Sequence, residues 1–176
     1  IVRENTEGLY SGIEEIGPDR ATTLRVVSRT GSIRIVRSAL RLVQQRRGHL
    51  TIGHKANVLK SDVLFREICT NEAKAAGVLF NDRFIDALAL DILQHPASYD
   101  VVVTTNIFGD ILSDVASYLV GGLGLVPSAN IGDRYALFEP VHGSAPDIAG
   151  KNIANPIAAI RSVAMLLDYL GDTEGA

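Results

Sequence analysis

The chain reads as an α/β protein layered around a parallel sheet, and three observations predict this. Short apolar, β-branched runs alternate with longer segments of helical period along most of its length. The run at residues 101–103, Val-Val-Val, is apolar at every position, as a strand covered on both faces must be. Residues 31–47 carry an apolar stripe at helical spacing with polar residues between, the pattern of a helix laid against such a sheet.

Taken in order, residues 1–3 predict the end of a strand, and residues 4–12, ENTEGLYSG, a polar, glycine-punctuated loop carrying Tyr10. Residues 24–28 alternate well enough to predict another strand. In the helix over 31–47, Ile33, Val36, Leu40 and Val43 form the stripe, widened by Ala39 and Leu42. Basic residues gather toward its end and Gly48 stops it. Residues 50–53 predict a short strand leading into His54, Lys55, Ala56 and Asn57. A helix over 61–76 follows, with Ser61 or Asp62 as cap and Gly77 as terminator. Residues 78–80 predict a strand, and 82–94 a helix with Ile85, Leu88, Ala89 and Ile92 inward and Asp86 beside that face.

After the strand at 101–103, Thr104, Thr105 and Asn106 break the pattern before another helix. Residues 121–132, GGLGLVPSANIG, predict a glycine-rich connection, with no GxGxxG after a strand and hence no Rossmann fingerprint. Residues 136–139 predict a strand, and 142–155 a long loop of the kind that is usually functional. Asn155 caps a last helix that Pro156 starts, running through Ile157, Ile160, Ala164 and Leu167 and closed by Gly171.

With 176 residues, 47% of them hydrophobic, the chain can bury one sizeable core. A net charge of −3, from 17 basic and 20 acidic residues, provides no electrostatic footprint for nucleic acid, so a small-molecule partner is expected. The single cysteine, Cys69, excludes an intramolecular disulfide and a cysteine-based zinc site and fits a reducing cytoplasm. No apolar run is long enough to span a bilayer. The opening on Ile1, directly in a strand, suggests a processed or truncated product.

The chemistry concentrates on the helix after residues 101–103. Asp110 and Asp114 lie four apart on it, so both leave one face, among Ile107, Phe108, Ile111, Leu112 and Val115. Like charges at that spacing repel, so a cation between them is expected. Oxygen-only ligands point to Mg²⁺ or Mn²⁺. Spacing alone is equally compatible with a solvated helix face carrying two ordinary acidic residues.

Four segments widen the reading: VRENTEGLYSG at 2–12, HKANVLK at 54–60, NIFGDILSD at 106–114 and EPVHGSAPDIAGKNIANP at 139–156. In this order and spacing they resemble the β-decarboxylating dehydrogenases of 2-hydroxy acids: isocitrate, homoisocitrate and 3-isopropylmalate dehydrogenases. The resemblance covers essentially the whole chain. It implies the non-Rossmann fold of that family, with residues 1–120 mainly the small dimerisation domain and 121–176 part of the large domain.

It also implies oxidation of a malate-type acid by NAD⁺ or NADP⁺ and loss of CO₂, with a divalent metal throughout. By resemblance the metal ligands are Asp110 and Asp114, joined by Asp86 from a second subunit. Lys55 assists deprotonation of the hydroxyl and Tyr10 protonates the enolate. Arg3 holds a substrate carboxylate, for which a guanidinium fork is suited, and Asn57 lies beside the substrate and nicotinamide. Substrate contacts thus fall to Arg3, Tyr10, Lys55, Asn57 and Asp86.

For the cofactor the resemblance implies Glu139 near the nicotinamide, His142, Gly143, Ser144 and Ala145 along the adenosine and phosphates, and Asn155 near adenine. Asp147 followed by Ile148 implies NAD⁺, because a carboxylate accepts from a free ribose 2′-hydroxyl and repels a 2′-phosphate. Because the lysine and third aspartate cross between subunits in the family, a homodimer is expected, with residues 11–29 as an interlocking arm.

Family members are roughly twice this length. The parts without a counterpart here are the N-terminal half of the large domain, with the helix that reads the substrate's distinguishing group, and a C-terminal segment. The wording of RENTEGLYSGIEE and SANIGD leans toward homoisocitrate and 3-isopropylmalate, with NAD-dependent isocitrate dehydrogenase as an alternative. A catalytically silent piece that only dimerises is the alternative of a different class.

Overall fold

The computed structural model describes residues 1–172 and 174–176, which fall into two compact units, Ile1–Val115 and Ala116–Ala176. In the first, β1 (Val2–Arg3) leads through a 3₁₀ turn to an antiparallel hairpin, β2 (Glu14–Ile16) and β3 (Ala21–Thr23). Then follow α1 (Arg29–Gln44), β4 (His49–His54), α2 (Lys60–Ala75), β5 (Leu79–Phe84), α3 (Ile85–Gln94), β6 (Val101–Thr104) and α4 (Asn106–Ser117). The predicted α/β fold with a parallel sheet is present: β1, β6, β4 and β5 lie side by side in that order, all parallel.

A parallel sheet buries both faces, and β4 does so from Leu50 to His54. On one side Val36, Ala39, Leu40 and Val43 of α1 and Phe65, Cys69 and Ala73 of α2 close over Leu50, Ile52, Val101 and Val103. On the other, α3 comes so close that a Cβ on Gly53 would lie 3.0 Å from Leu88 Cδ2. Cys69 is buried, and burial pushes its thiol well above the usual thiol range. Phe65, 1% exposed at the centre of the α1–α2 side, has no room to be replaced by collapse. Phe65→Ala is expected to cost about 3–5 kcal/mol, read as a lower urea midpoint at unchanged m-value.

Several expectations need correction. Residues 24–28 form no strand: Val26 makes a single bridge to Gly8, and the alternation has no ladder to join. The strands nearby are β2 and β3, just before this stretch and exposed at every residue. The helix expected over 82–94 begins at Ile85, because Asp82, Arg83 and Phe84 pair with Ile52, Gly53 and His54 and extend β5. Sheet pairing overrides the local helical period there. Leu42 of α1 is 42% exposed, off the buried stripe. Neither Ser61 nor Asp62 caps α2, whose N-cap is Leu59; Asp62 is buried and employed elsewhere.

In the second unit, the expected connection over 121–132 contains β7 (Pro127–Ile131), which pairs antiparallel with β8 (Ala136–Pro140). The α5 helix (Ile157–Leu170) packs on this ribbon, with Tyr169 against Phe138 at 5.5 Å between ring centroids. It starts one residue later than expected, with Pro156 rather than Asn155 as its N-cap, and the Asn155 side chain accepts from the Ile157 N–H at 3.0 Å. Its buried residues are Ala158 and Ser162, while Ile157 and Ile160 are exposed. A helix apolar on most sides does not declare by period which side packs. No helix among the described residues is long and apolar enough to cross a membrane.

Candidate active site

The four parallel strands of the first unit end on the same side, and each carboxyl end delivers candidate residues: Arg3 from β1, Lys55 after β4, Asp86 after β5, and Asn106 and Asp110 after β6. The crevice outside strand carboxyl ends is where open α/β sheets bind ligands.

On one side of this edge the structure brings together Arg3, Tyr10 and Asp110. Asp110 takes Arg3 Nη1 on one carboxylate oxygen and the Tyr10 hydroxyl, at 2.7 Å, on the other. The Arg3 guanidinium also lies 5.1 Å from the Tyr10 ring centroid. Tyr10 is 56% exposed, and its 3₁₀ turn follows Gly8, which sits at φ 83°, where a side chain would be strained.

Sequence reasoning missed the residue that orients Arg3. Asn106, 2% exposed, accepts from Arg3 Nε at 3.1 Å and Nη2 at 2.8 Å on one Oδ1, while its Nδ2 donates to the Glu7 carbonyl at 2.8 Å. The signal was its place between a strand and a helix, which read as a break. Gly109 was missed too. Arg3 crosses α4 there so closely that a Cβ would fall 2.6 Å from Arg3 Cγ and 2.7 Å from Arg3 Cβ.

Along the same edge, Lys55 Nζ donates to Asp86 Oδ1 at 2.5 Å. The hydrogen bond and charge of Lys55 hold the Asp86 carboxyl below the usual carboxylate range, although Asp86 is 65% exposed. The Lys55 backbone is clamped as well. Its N–H donates to Asp62 Oδ2 at 2.7 Å, its carbonyl accepts from Val58 and Leu59, both at 2.9 Å, and the next N–H, of Ala56, donates to His54 Nδ1. That places the ring proton of His54 on Nε2, facing Asp82 Oδ2 at 2.9 Å. Asn57 is exposed on the turn that follows.

Asp82 also pairs with Arg66. Burial pushes its carboxyl up, but hydrogen bonds from His54 and Arg66 and the charge of Arg66 outweigh this and hold it below the usual range. Its contribution to stability is therefore full above about pH 4, the unfolded value, and is lost as pH falls through the lower folded value. Urea midpoints should drop below about pH 4, and Asp82→Asn should flatten part of that slope.

Asp114 is exposed, one turn beyond Asp110 on the same face of α4. Among the described residues no three His, Cys, Asp or Glu side chains of the chain converge on one point. Asp110 and Asp114 thus offer the hard oxygen donors that Mg²⁺ or Mn²⁺ takes, but only part of a shell.

In the second unit, Glu139, next to last in β8, accepts from Asn130 Nδ2 at 3.0 Å. His142, Gly143, Ser144 and Ala145 form an exposed loop, Ala145 in a left-handed conformation at φ 43°. Asp147 and Ile148 sit on the 3₁₀ turn Pro146–Ile148, Asp147 exposed, and Asn155 accepts from the Ile157 N–H at the start of α5. An exposed run of loop backbone with one carboxylate has the donor and acceptor chemistry that phosphates and a ribose hydroxyl need.

A family described as isocitrate/isopropylmalate dehydrogenase matches residues 1–176. The chain belongs to that family. Among its relatives, the homoisocitrate dehydrogenase of Methanocaldococcus jannaschii is 54% identical over 176 residues, which are 99% of this chain and 51% of that protein. An isocitrate/homoisocitrate dehydrogenase of Thermus thermophilus is 55% identical over 179 residues, 100% and 54% of the two chains. The crystal structure of isocitrate dehydrogenase from Methylococcus capsulatus superposes with a TM-score of 0.93 at 50% identity, covering 98% of this chain and 53% of that one. The fold is therefore that of the isocitrate/isopropylmalate dehydrogenases, and the chain spans about half the length of the curated relatives it matches.

Proposed function

We propose that the chain is part of an NAD⁺-dependent dehydrogenase that oxidises and decarboxylates a malate-type 2-hydroxy acid, homoisocitrate or 3-isopropylmalate, in the cytoplasm. The observation that carries this is the strand-end edge of the first unit, where an arginine, a tyrosine, a lysine and carboxylates gather. The names of the relatives support the reaction class, and the exposed Asp147 supports NAD⁺ over NADP⁺.

Arg3, its guanidinium plane set by Asn106, holds a substrate carboxylate. Asp110 and Asp114, with Asp86 of a second copy, hold Mg²⁺ or Mn²⁺. When bound, the cation supplies Lewis acidity at the substrate's oxygens and NAD⁺ accepts hydride. Lys55 of that second copy assists deprotonation of the hydroxyl, and its ion pair with Asp86 of the same copy keeps the ammonium oriented before substrate arrives. Tyr10, its hydroxyl positioned by Asp110, returns a proton to carbon after CO₂ leaves. Glu139, the loop over 142–145, Asp147, Ile148 and Asn155 bind the dinucleotide, and Asn57 lies beside its nicotinamide end. A homodimer completes the site. Exposed apolar residues on the same helices, Leu90 at 60% on α3 and Ile111 at 54% on α4, support that second copy.

The test is NADH formation by the full-length protein with Mg²⁺, NAD⁺ and isocitrate, homoisocitrate or 3-isopropylmalate offered singly. Turnover of one acid supports the reading and names the substrate; dimers that turn over none sink it. Calorimetry with Mn²⁺ checks the ligands: wild type should bind, and Asp110→Ala should weaken binding by about 10- to 100-fold. Unchanged affinity would remove Asp110 from the shell.

A further inference from the structure

Arg25 leaves the exposed hairpin and turns its guanidinium inward, where it is 12% exposed. One nitrogen donates to Ser61 Oγ at 2.6 Å and lies 2.7 Å from Asp62 Oδ1. Another donates to Thr105 Oγ1 at 2.9 Å, and the guanidinium carbon is 5.2 Å from the Phe108 ring centroid. Asp62 is fully buried, and its second oxygen takes the Lys55 N–H at 2.7 Å. One cation thus bridges the start of α2 and Thr105, the residue that precedes Asn106, and Asp62 carries the link on to the backbone of Lys55.

A buried ion pair is a poor device for stability, since well-packed apolar residues of similar size often do as well. What an apolar pair cannot do is accept a backbone N–H or fork between two loops. We propose that Arg25 and Asp62 are positioning residues for Lys55: Asp62 fixes the Lys55 backbone, and Arg25 fixes Asp62 while tying it to the loop that starts α4. The arm thereby has a direct mechanical connection to the lysine, because β3 runs into Arg25 through Leu24 alone. The functional consequence rests on the proposed role of Lys55.

The experiment compares, in the full-length protein, Arg25→Lys and the double variant Arg25→Met with Asp62→Leu. Arg25→Lys keeps a charge beside Asp62 but cannot fork; the double variant removes both charges together and so leaves neither buried alone. Expected in both is a melting temperature near wild type, amide exchange at Lys55 faster by about tenfold or more, and kcat lower by ~10- to 100-fold with KM little changed. A folded variant of either kind with wild-type exchange at Lys55 and wild-type kcat would overturn the proposal. Failure of the underlying reading shows differently: full turnover by Lys55→Ala would remove the lysine from the chemistry. The exchange rate at residue 55 would still report whether the pair holds its backbone.

Discussion

Lys55→Ala in the full-length protein is expected to lower kcat by about 10²- to 10⁴-fold with Mg²⁺, NAD⁺ and saturating acid, the range a positioned group that assists proton transfer contributes. The size of the effect follows from how completely this lysine is prepared. Its N–H is held by a buried carboxylate, its carbonyl by two amides, and its ammonium by Asp86 at 2.5 Å. Alanine preserves the backbone bonds and removes only the amine, so folding should be retained and the loss should fall on turnover rather than on KM. Lys60→Ala, also a charge removal but at an exposed position on α2, should leave kcat unchanged. Steady-state kinetics and single-turnover NADH formation check both. A Lys55→Ala enzyme within a factor of about three of wild type would place proton removal elsewhere.

Gly109→Ala is the second large effect expected, and it is expected on substrate binding. The added Cβ would fall within 2.7 Å of both Cβ and Cγ of Arg3. These atoms lie near the backbone of a strand and cannot swing away as a side-chain tip would. Arg3 must then give up its fork on Asn106 or its contact with Asp110. Charge-assisted hydrogen bonds contribute about 1.5–3 kcal/mol, so KM for the acid should rise roughly 10- to 100-fold, with a smaller change in kcat. Arg3→Lys should resemble it, because a point charge cannot reproduce the planar fork. A Gly109→Ala protein with unaltered KM would show that Arg3 does not hold the substrate in this pose.

Much of the molecule was legible beforehand because its signals are local. The unbroken apolar run of β6 and the stripe of α1 announce a strand and a helix without reference to anything else, and both are there. The start of α5 is legible to within one residue for the same reason, since Asn155 and Pro156 mark it locally and the Asn155 side chain accepts from the Ile157 N–H. The failures are all places where a distant segment decides. Asp82, Arg83 and Phe84 are strand because β4 lies beside them, and β7 exists because β8 pairs with it. Asp62 looked like a helix cap, and the Lys55 amide and Arg25 claimed its carboxylate instead.

The candidate site divides in the same way. Its residue chemistry is written in the chain: two carboxylates on one helix face, a lysine after a strand, a tyrosine in a glycine-punctuated loop, and an order of motifs that resembles one family of dehydrogenases. Which of these side chains meet is not written there. Arg3 and Tyr10 lie 107 and 100 positions from Asp110 and converge on it only because the ends of β1 and β6 are neighbours in the sheet. Asn106 and Gly109 acquire their importance from Arg3 crossing above them, which no period or motif encodes. By itself the sequence determined the elements and the chemical inventory, because both depend on neighbours along the chain. Only the tertiary structure decided the pairings, because the lateral order of a parallel sheet is settled by burial across its two faces.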